Sequence, residues 1–315
     1  VGAIGHRVVH GGEKITSSTL VDDEVLAIID EYGKFAPLHN PPEAEAIRAC
    51  REVFGEGTPN VAVFDTAFHQ TMPPKAYIYP LPYEYYEKQG IRRYGFHGTS
   101  HRYVSGRYFE LFGGRENSRI ITCHLGNGSS LSAVLNGESV DTSMGFTPLD
   151  GFIMGTRSGA LDPSIVTYLM QSEGMSPAEM DSLLNKRSGF MGISGVSSDC
   201  RDLHAAAEDG SARAALALEL LVYGIKKYIG AYAAAMGGLD ALIFTGGIGE
   251  NDEQVRFEIC SDMQFLGLEV DEGLCAEASR KEAVFSSESS RVRAMVLPTN
   301  EEIMIARDAL EIVSR

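Results

Sequence analysis

Two arginines stand where a folded chain rarely puts a charge. Arg7 lies in Gly5-His6-Arg7-Val8-Val9-His10-Gly11-Gly12, an apolar strand running into two glycines. Arg157 lies in the small-residue segment Met154-Gly155-Thr156-Arg157-Ser158-Gly159. A guanidinium inside an apolar strand is costly unless it meets an anion, and small neighbours leave room for a ligand against it. A structural ion pair is the other reading of Arg7. Alternation places Arg7 and Val9 on one face. Asp65 ends the apolar run Val61-Ala62-Val63-Phe64, at the carboxyl end of a strand, where open α/β sheets present site residues; a cap on the next turn would also suit it. His97 and His101 are four apart in Tyr94-Gly95-Phe96-His97-Gly98-Thr99-Ser100-His101. Gly98 is expected to break a helix there, and no HExxH glutamate is present, so a histidine near anionic chemistry is expected rather than zinc. His69 reads as a surface or structural residue.

Two glycine-rich turns leave buried strands: His124-Leu125-Gly126-Asn127-Gly128-Ser129-Ser130 and Thr245-Gly246-Gly247-Ile248-Gly249-Glu250-Asn251. Without a Cβ in the way, backbone N–H groups can approach phosphate oxygens. Asn127, Ser129 and Ser130 could add donors. A tight hairpin turn is the alternative for either segment alone; two in one chain favour nucleotide binding. Neither is a Walker A motif, and Asp252 occupies the third glycine position of a dinucleotide fingerprint. A P-loop kinase and an NAD dehydrogenase are therefore disfavoured. Ser198-Asp199-Cys200-Arg201-Asp202 is a charged turn of the kind that starts a helix.

The elements that must position these residues alternate. A strand is expected near 3–10, helices near 22–32 and 42–54, and strands at 61–64 and 120–123. A hairpin over 131–142 turns on Asn136-Gly137. A long helix is expected over 213–236, strands at 241–244 and 292–297, and a helix over 301–312 capped by Thr299 or Asn300. This is an α/β pattern. The chain has 315 residues and a net charge of −16. That length suggests two lobes, and the acidity disfavours nucleic acid and anionic membrane as partners. Five cysteines without a CxxC pair point to a reducing, cytoplasmic compartment. No apolar stretch reaches membrane-spanning length, and the opening Val1-Gly2-Ala3-Ile4 reads as the middle of a strand.

Together these segments resemble the acetate kinase family. The matching stretches are GHRVVHGG (5–12), APLHNPP (36–42), VFDTAFHQTMPP (63–74) and YGFHGTSH (94–101), then HLGNGSS (124–130), DTSMGFTPLDG (141–151), MGTRSG (154–159), FTGGIGEN (244–251) and PTNEE (298–302). They run over essentially the whole chain in the family's order. The resemblance implies a two-lobed actin-like ATPase (ribonuclease H-like) α/β fold with βββαβαβα lobes and the ligands in the cleft between them. Residues 1–66 with 302–315 would form the first lobe and 67–301 the second. The implied reaction is ATP + acetate ⇌ ADP + acetyl phosphate with Mg²⁺ or Mn²⁺, by direct in-line transfer, in a homodimer.

The resemblance also assigns roles. Arg7 and Arg157 would bind the acyl carboxylate and the phosphoryl group in flight. Asp65 holds the family's proton donor/acceptor position, although a carboxylate nucleophile is already ionised at pH 7, so Asp65 is expected to orient Arg or metal-bound water instead. His97 would steady the transition state. Val9, Leu38, Phe96 and Pro148 would surround the acyl methyl group. His124, Leu125, Gly126, Asn127 and Gly128 would contact ATP phosphates, and Asp199, Cys200 and Arg201 the ribose and base. Gly247, Ile248, Gly249, Glu250 and Asn251 would line the adenosine side, and Glu301 would hold the metal. The family's N-x-G-S-S-S-x-K hairpin does not occur in this sequence, so a truncated first lobe lacking its N-terminal strands is expected. The alternatives are a propionate kinase, or an inactive nucleotide-binding chain of the same fold.

Overall fold

Three short strands, β1 (Ile4–Val8), β2 (Thr19–Leu20) and β3 (Asn60–Phe64), form one sheet in the order β1-β3-β2. This is a computed structural model, and it describes every residue except Glu56. β1 and β3 are parallel, with Arg7 opposite Val63 and Val8 opposite Phe64. All of β3 is buried, which explains its unbroken apolar run. Val8, Ala62 and Phe64 share a core with Leu26, Ile29 and Ile47. Those last three come from helices Asp23–Glu31 and Asn40–Phe54. Asp22 caps the first of these by accepting from Val25 N, and Pro sits in the first turn of the second.

The remaining strands are β4 (Arg119–His124), β5 (Ser130–Leu135), β6 (Glu138–Thr142), β7 (Ala241–Thr245), β8 (Ala283–Val284) and β9 (Arg293–Val296), in the sheet order β6-β5-β4-β7-β9-β8. The hairpin turns at Asn136 and Gly137, both at positive φ (56° and 83°), as an Asn-Gly turn requires. β4, β7 and β9 are parallel, and His124 lies opposite Thr245. The long helix Ala212–Met236 ends on Gly237 in the left-handed region. Asn300, not Thr299, caps helix Glu301–Val313 by accepting from Ile303 N.

The chain divides into two compact units, Val1–Ser118 with Val134–Thr147 and Thr299–Arg315, and Arg119–Ala133 with Pro148–Pro298. This division differs from the expected boundary at residue 67. Residues 67–118 stay with the first unit because His69 Nδ1 pairs with Ser139 Oγ at 2.8 Å, Tyr94 N donates to Gly145 O at 3.0 Å, and Ser100 Oγ donates to Thr299 Oγ1 at 2.9 Å.

Candidate active site

In the first unit, the parallel register of β1 and β3 brings Arg7 to Asp65. Arg7 Nε donates to Asp65 Oδ1 at 3.0 Å and Nη2 to Oδ2 at 2.6 Å, a bidentate pair. Glu301 Oε2 lies 4.0 Å from Arg7 Nε. Asp65 is buried, whereas the Arg7 side chain keeps 43% exposure. Burial pushes the Asp65 carboxyl up, against the pull of Arg7 and of the His97 amide that donates to it. Burial likewise raises Glu301 and Glu43, which also sit in the field of Arg7. Glu43 accepts from Val9 N at 3.0 Å; sequence reasoning missed it because an acidic residue early in a helix reads as ordinary first-turn chemistry. Arg7 is thus an ion-paired arginine whose Nη1 has no hydrogen-bond partner among the described residues.

His97 takes the left-handed conformation (φ 56°) and starts helix Gly98–Phe112. The expectation that Gly98 breaks a helix is therefore corrected: it is the first helical residue. Its reason for being glycine is close approach, since a Cβ there would sit 2.1 Å from Asp65 O. Gly98 N donates to that same carbonyl at 3.0 Å. His101 lies in the helix, its ring centroid 6.5 Å from that of His97. No metal-binding cluster of three or more His, Cys, Asp or Glu occurs among the described residues. His69 is fully buried and structural, hydrogen-bonded to Ser139 Oγ and Phe96 O. Of the expected acyl-pocket residues in this unit, Val9 and Phe96 are buried, whereas Leu38 is 72% exposed and belongs to no buried lining within the unit.

In the second unit, β4 and β7 set the two glycine-rich turns side by side. Leu125 N donates to Thr245 O, and Ile248 N and Gly249 N both donate to Leu125 O. Asn127 is exposed at the tip, with Gly126 and Gly128 partly so. Leu125, Ser129 and Ser130 are buried. The expected Ser129 and Ser130 donors are thus corrected: Ser129 Oγ is spent inside the turn, accepting from Gly126 N and donating to Gly126 O. The second segment is a short helix, Gly246–Asn251, rather than an open loop. Glu250 Oε1 accepts from Gly246 N at 3.0 Å and closes it on itself.

Arg157 differs from Arg7. Its Nη1 donates to Pro148 O at 3.2 Å, and among the described residues no carboxylate pairs with it. Burial alone lowers its pKa. The segment holding it is braced by backbone bonds: Met154 N to Arg157 O, Ser188 N to Thr156 O, and Gly155 N to Asn127 O. Arg157 and the first glycine turn are thereby tied together.

Asp199 caps helix Cys200–Glu208 and pairs with the 89%-exposed Arg201 guanidinium at 2.6 Å. The Cys200 side chain is buried, so it faces the core and not a ligand. His204 in the same helix bonds Asp252 Oδ2 at 2.9 Å, which raises its pKa. Asp252 in turn caps helix Glu253–Cys260. This link was missed because its partners are 48 residues apart. A cavity of about 820 Å³ in this unit lies against Phe152, Ser158, Leu220, Tyr223 and Lys227, and none of the expected nucleotide contacts lines it.

Comparison with known proteins gives these geometries a setting. The model of the acetokinase family matches residues 1–307. An acetate kinase of Caldanaerobacter subterraneus subsp. tengcongensis is 57% identical, with 99% of this chain and 78% of that protein covered. One from Thermotoga maritima is also 57% identical, covering 100% of this chain and 79% of its own. Among solved structures, Porphyromonas gingivalis acetate kinase superposes with a TM-score of 0.96 at 49% identity, covering 99% of this chain and 78% of that one. A propionate kinase from Francisella tularensis gives 0.93 at 45% identity, covering 99% and 79%. The α/β fold is thus that of these kinases, and the chain belongs to the acetokinase family.

Proposed function

We propose that this chain is an acetate kinase, catalysing ATP + acetate ⇌ ADP + acetyl phosphate. Beside family membership, the structural observation that carries the reading is Arg157, a desolvated guanidinium with no carboxylate partner among the described residues. Such a group needs an anion, and phosphoryl transfer spreads negative charge over equatorial oxygens. Arg157 and Nη1 of Arg7 are the proposed ligands of that charge, with His97 assisting. The acetate carboxylate attacks phosphorus directly, already ionised at neutral pH. Asp65 holds Arg7 in place and is not required as a base. The Asn127 turn, Asp199, Arg201 and the segment Gly247–Asn251 are the proposed nucleotide contacts.

Mg²⁺ or Mn²⁺ belongs to the same reading. Such ions bind through one or two carboxylates plus phosphates and water, and the partly exposed Glu301 carboxylate fits that donor set. The ion supplies neutralisation of phosphate charge when bound. We also propose a cytoplasmic homodimer. Its support is five cysteines outside any disulfide and the apolar stripe Leu216, Leu220 and Tyr223 left exposed on helix Ala212–Met236. No helix among the described residues is long and apolar enough to cross a membrane.

A propionate kinase is the second reading, supported by the Francisella tularensis structure. One methylene is worth about 1–3 kcal/mol in such a pocket. Acyl phosphate formation with acetate, propionate and butyrate discriminates. The highest kcat/KM is expected with acetate; a preference for propionate overturns the first reading in favour of the second.

A further inference from the structure

Arg256 is the largest fully buried side chain among the described residues. No carboxylate pairs with it there. Instead Nη1 donates to Gly249 O at 3.0 Å and Nη2 to Cys275 O at 2.9 Å, while Nε has no partner. A buried cation with no carboxylate partner among the described residues, facing two carbonyls and the Phe285 ring at 5.9 Å, is an expensive way to fill a core. The geometry points to what the guanidinium does. Its planar fork clamps two carbonyls that lie on different helices, Gly246–Asn251 and Glu272–Glu277. Gly249 belongs to the helix proposed to line the adenosine side of the nucleotide. Around it, Glu250 fixes the start of the helix through Gly246 N, and Arg280 Nε holds Asn251 Oδ1 at its end. Of these three side-chain braces Arg256 alone is buried, and it adds to the buried Leu125 carbonyl that accepts from Ile248 N and Gly249 N.

We infer that Arg256 is a positioning residue that sets the placement of Gly247–Asn251 and thereby nucleotide affinity, without touching the reacting groups. The inference rests on the reading of that segment as a nucleotide contact. It separates nucleotide binding from acetate binding and from turnover. The Gly249 carbonyl must lose its clamp before the turn can shift, whereas Arg7, Asp65 and Arg157 have no bond to Arg256. Lysine is a poor substitute, because one ammonium cannot span both carbonyls with the fork's geometry.

The test uses the purified protein and its Arg256→Lys and Arg256→Met variants. Folding is followed by circular dichroism and thermal melting, ADP affinity by calorimetry, and KM and kcat by acyl phosphate formation. Both variants are expected to fold. Each should weaken ADP binding and raise KM for ATP about tenfold, the scale of one charge-assisted hydrogen bond. The KM for acetate and kcat should change less than about threefold, because distant sites that share no partner act independently. A lower melting temperature with unchanged ADP affinity overturns the inference, since Arg256 would then be merely structural. A fall in kcat with unchanged KM for ATP overturns it too. Failure of both variants to fold makes Arg256 a folding determinant and likewise overturns it. If the unsubstituted protein itself shows no affinity for ADP, the nucleotide reading falls and takes this inference with it.

Discussion

Arg7 and Arg157, the two arginines proposed for the site, are held in different ways. Arg7 is held bidentately by a buried carboxylate; Arg157 donates to the Pro148 carbonyl, lies 4.0 Å from Met154 Sδ, and has no carboxylate partner among the described residues. Their substitutions should therefore fail differently. Arg157→Ala removes a desolvated charge that has no carboxylate partner among the described residues. It should lower kcat at least about 100-fold, the scale of losing one transition-state donor, with little loss of stability. Arg7→Ala should show a similar kinetic loss and also destabilise the first unit by about 1–3 kcal/mol, because Asp65 is left buried without its partner. Urea unfolding alongside turnover checks both. Equal stability losses in the two variants would contradict the contrast, and near-normal turnover in both would remove them from the site. The same pairing bears on Asp65. Burial raises its carboxyl while both of its oxygens accept from Arg7, which suits a residue that orients the arginine beside a nucleophile that arrives ionised.

At the scale of elements, most of the fold was legible because hydrophobic periodicity and caps act locally. Helix Asp23–Glu31 and strands β3, β4 and β7 follow from spacing, and the Asn136-Gly137 hairpin follows from turn chemistry. What was not legible depends on neighbours distant in sequence. Gly98 looks like a helix breaker until Asp65 O is placed 2.1 Å from its absent Cβ. Ser129 looks like a phosphate donor until its turn folds around it. The buried clamp of Arg256 has no signature in the sequence at all. Helix Pro177–Lys186 did have one, the capping box Ser176-Pro177-Ala178-Glu179, and the structure forms both of its bonds. Gly98 and Gly106 share one helix and turn this argument into a measurement. Gly98→Ala forces the helix start away from Asp65 and should cost about 2 kcal/mol or more, with loss of activity, as overpacking does. Gly106 has nothing within 4 Å of a built Cβ. Gly106→Ala should therefore stabilise by about 0.5–1 kcal/mol, the helix propensity difference. Melting curves of the two variants moving in the same direction would refute the close-approach explanation.

For the molecule as a whole, acid stability is set by opposing contributions. Lowering the pH from 7 toward the pI of about 4.9 relieves the self-repulsion of a chain carrying −16. Asp65, Glu43 and Glu301, held above their usual range by burial, take up protons in the native state before they do in the unfolded chain. That too favours the native state as pH falls. His10 and His69 act in the other direction. Burial lowers His10 to about 3 and His69 to about 4, from an ordinary 6.5. Below pH 6.5 the unfolded chain binds protons at both histidines that the native state refuses, so each costs stability as pH falls toward its native value. His10 is stacked on Tyr32 at 5.2 Å, and its Nδ1 accepts from Gly12 N at 3.0 Å. His10→Phe keeps a ring in that stack and loses the acceptor at a cost that does not vary with pH. It also removes the titration. The stability advantage of the unsubstituted protein over His10→Phe should therefore shrink by about 2 kcal/mol between pH 7 and pH 5. Urea titrations of both proteins at the two pH values measure this directly. A gap that stays constant would mean that the imidazole takes its proton in the native state and that its burial is not what opposes acid stability.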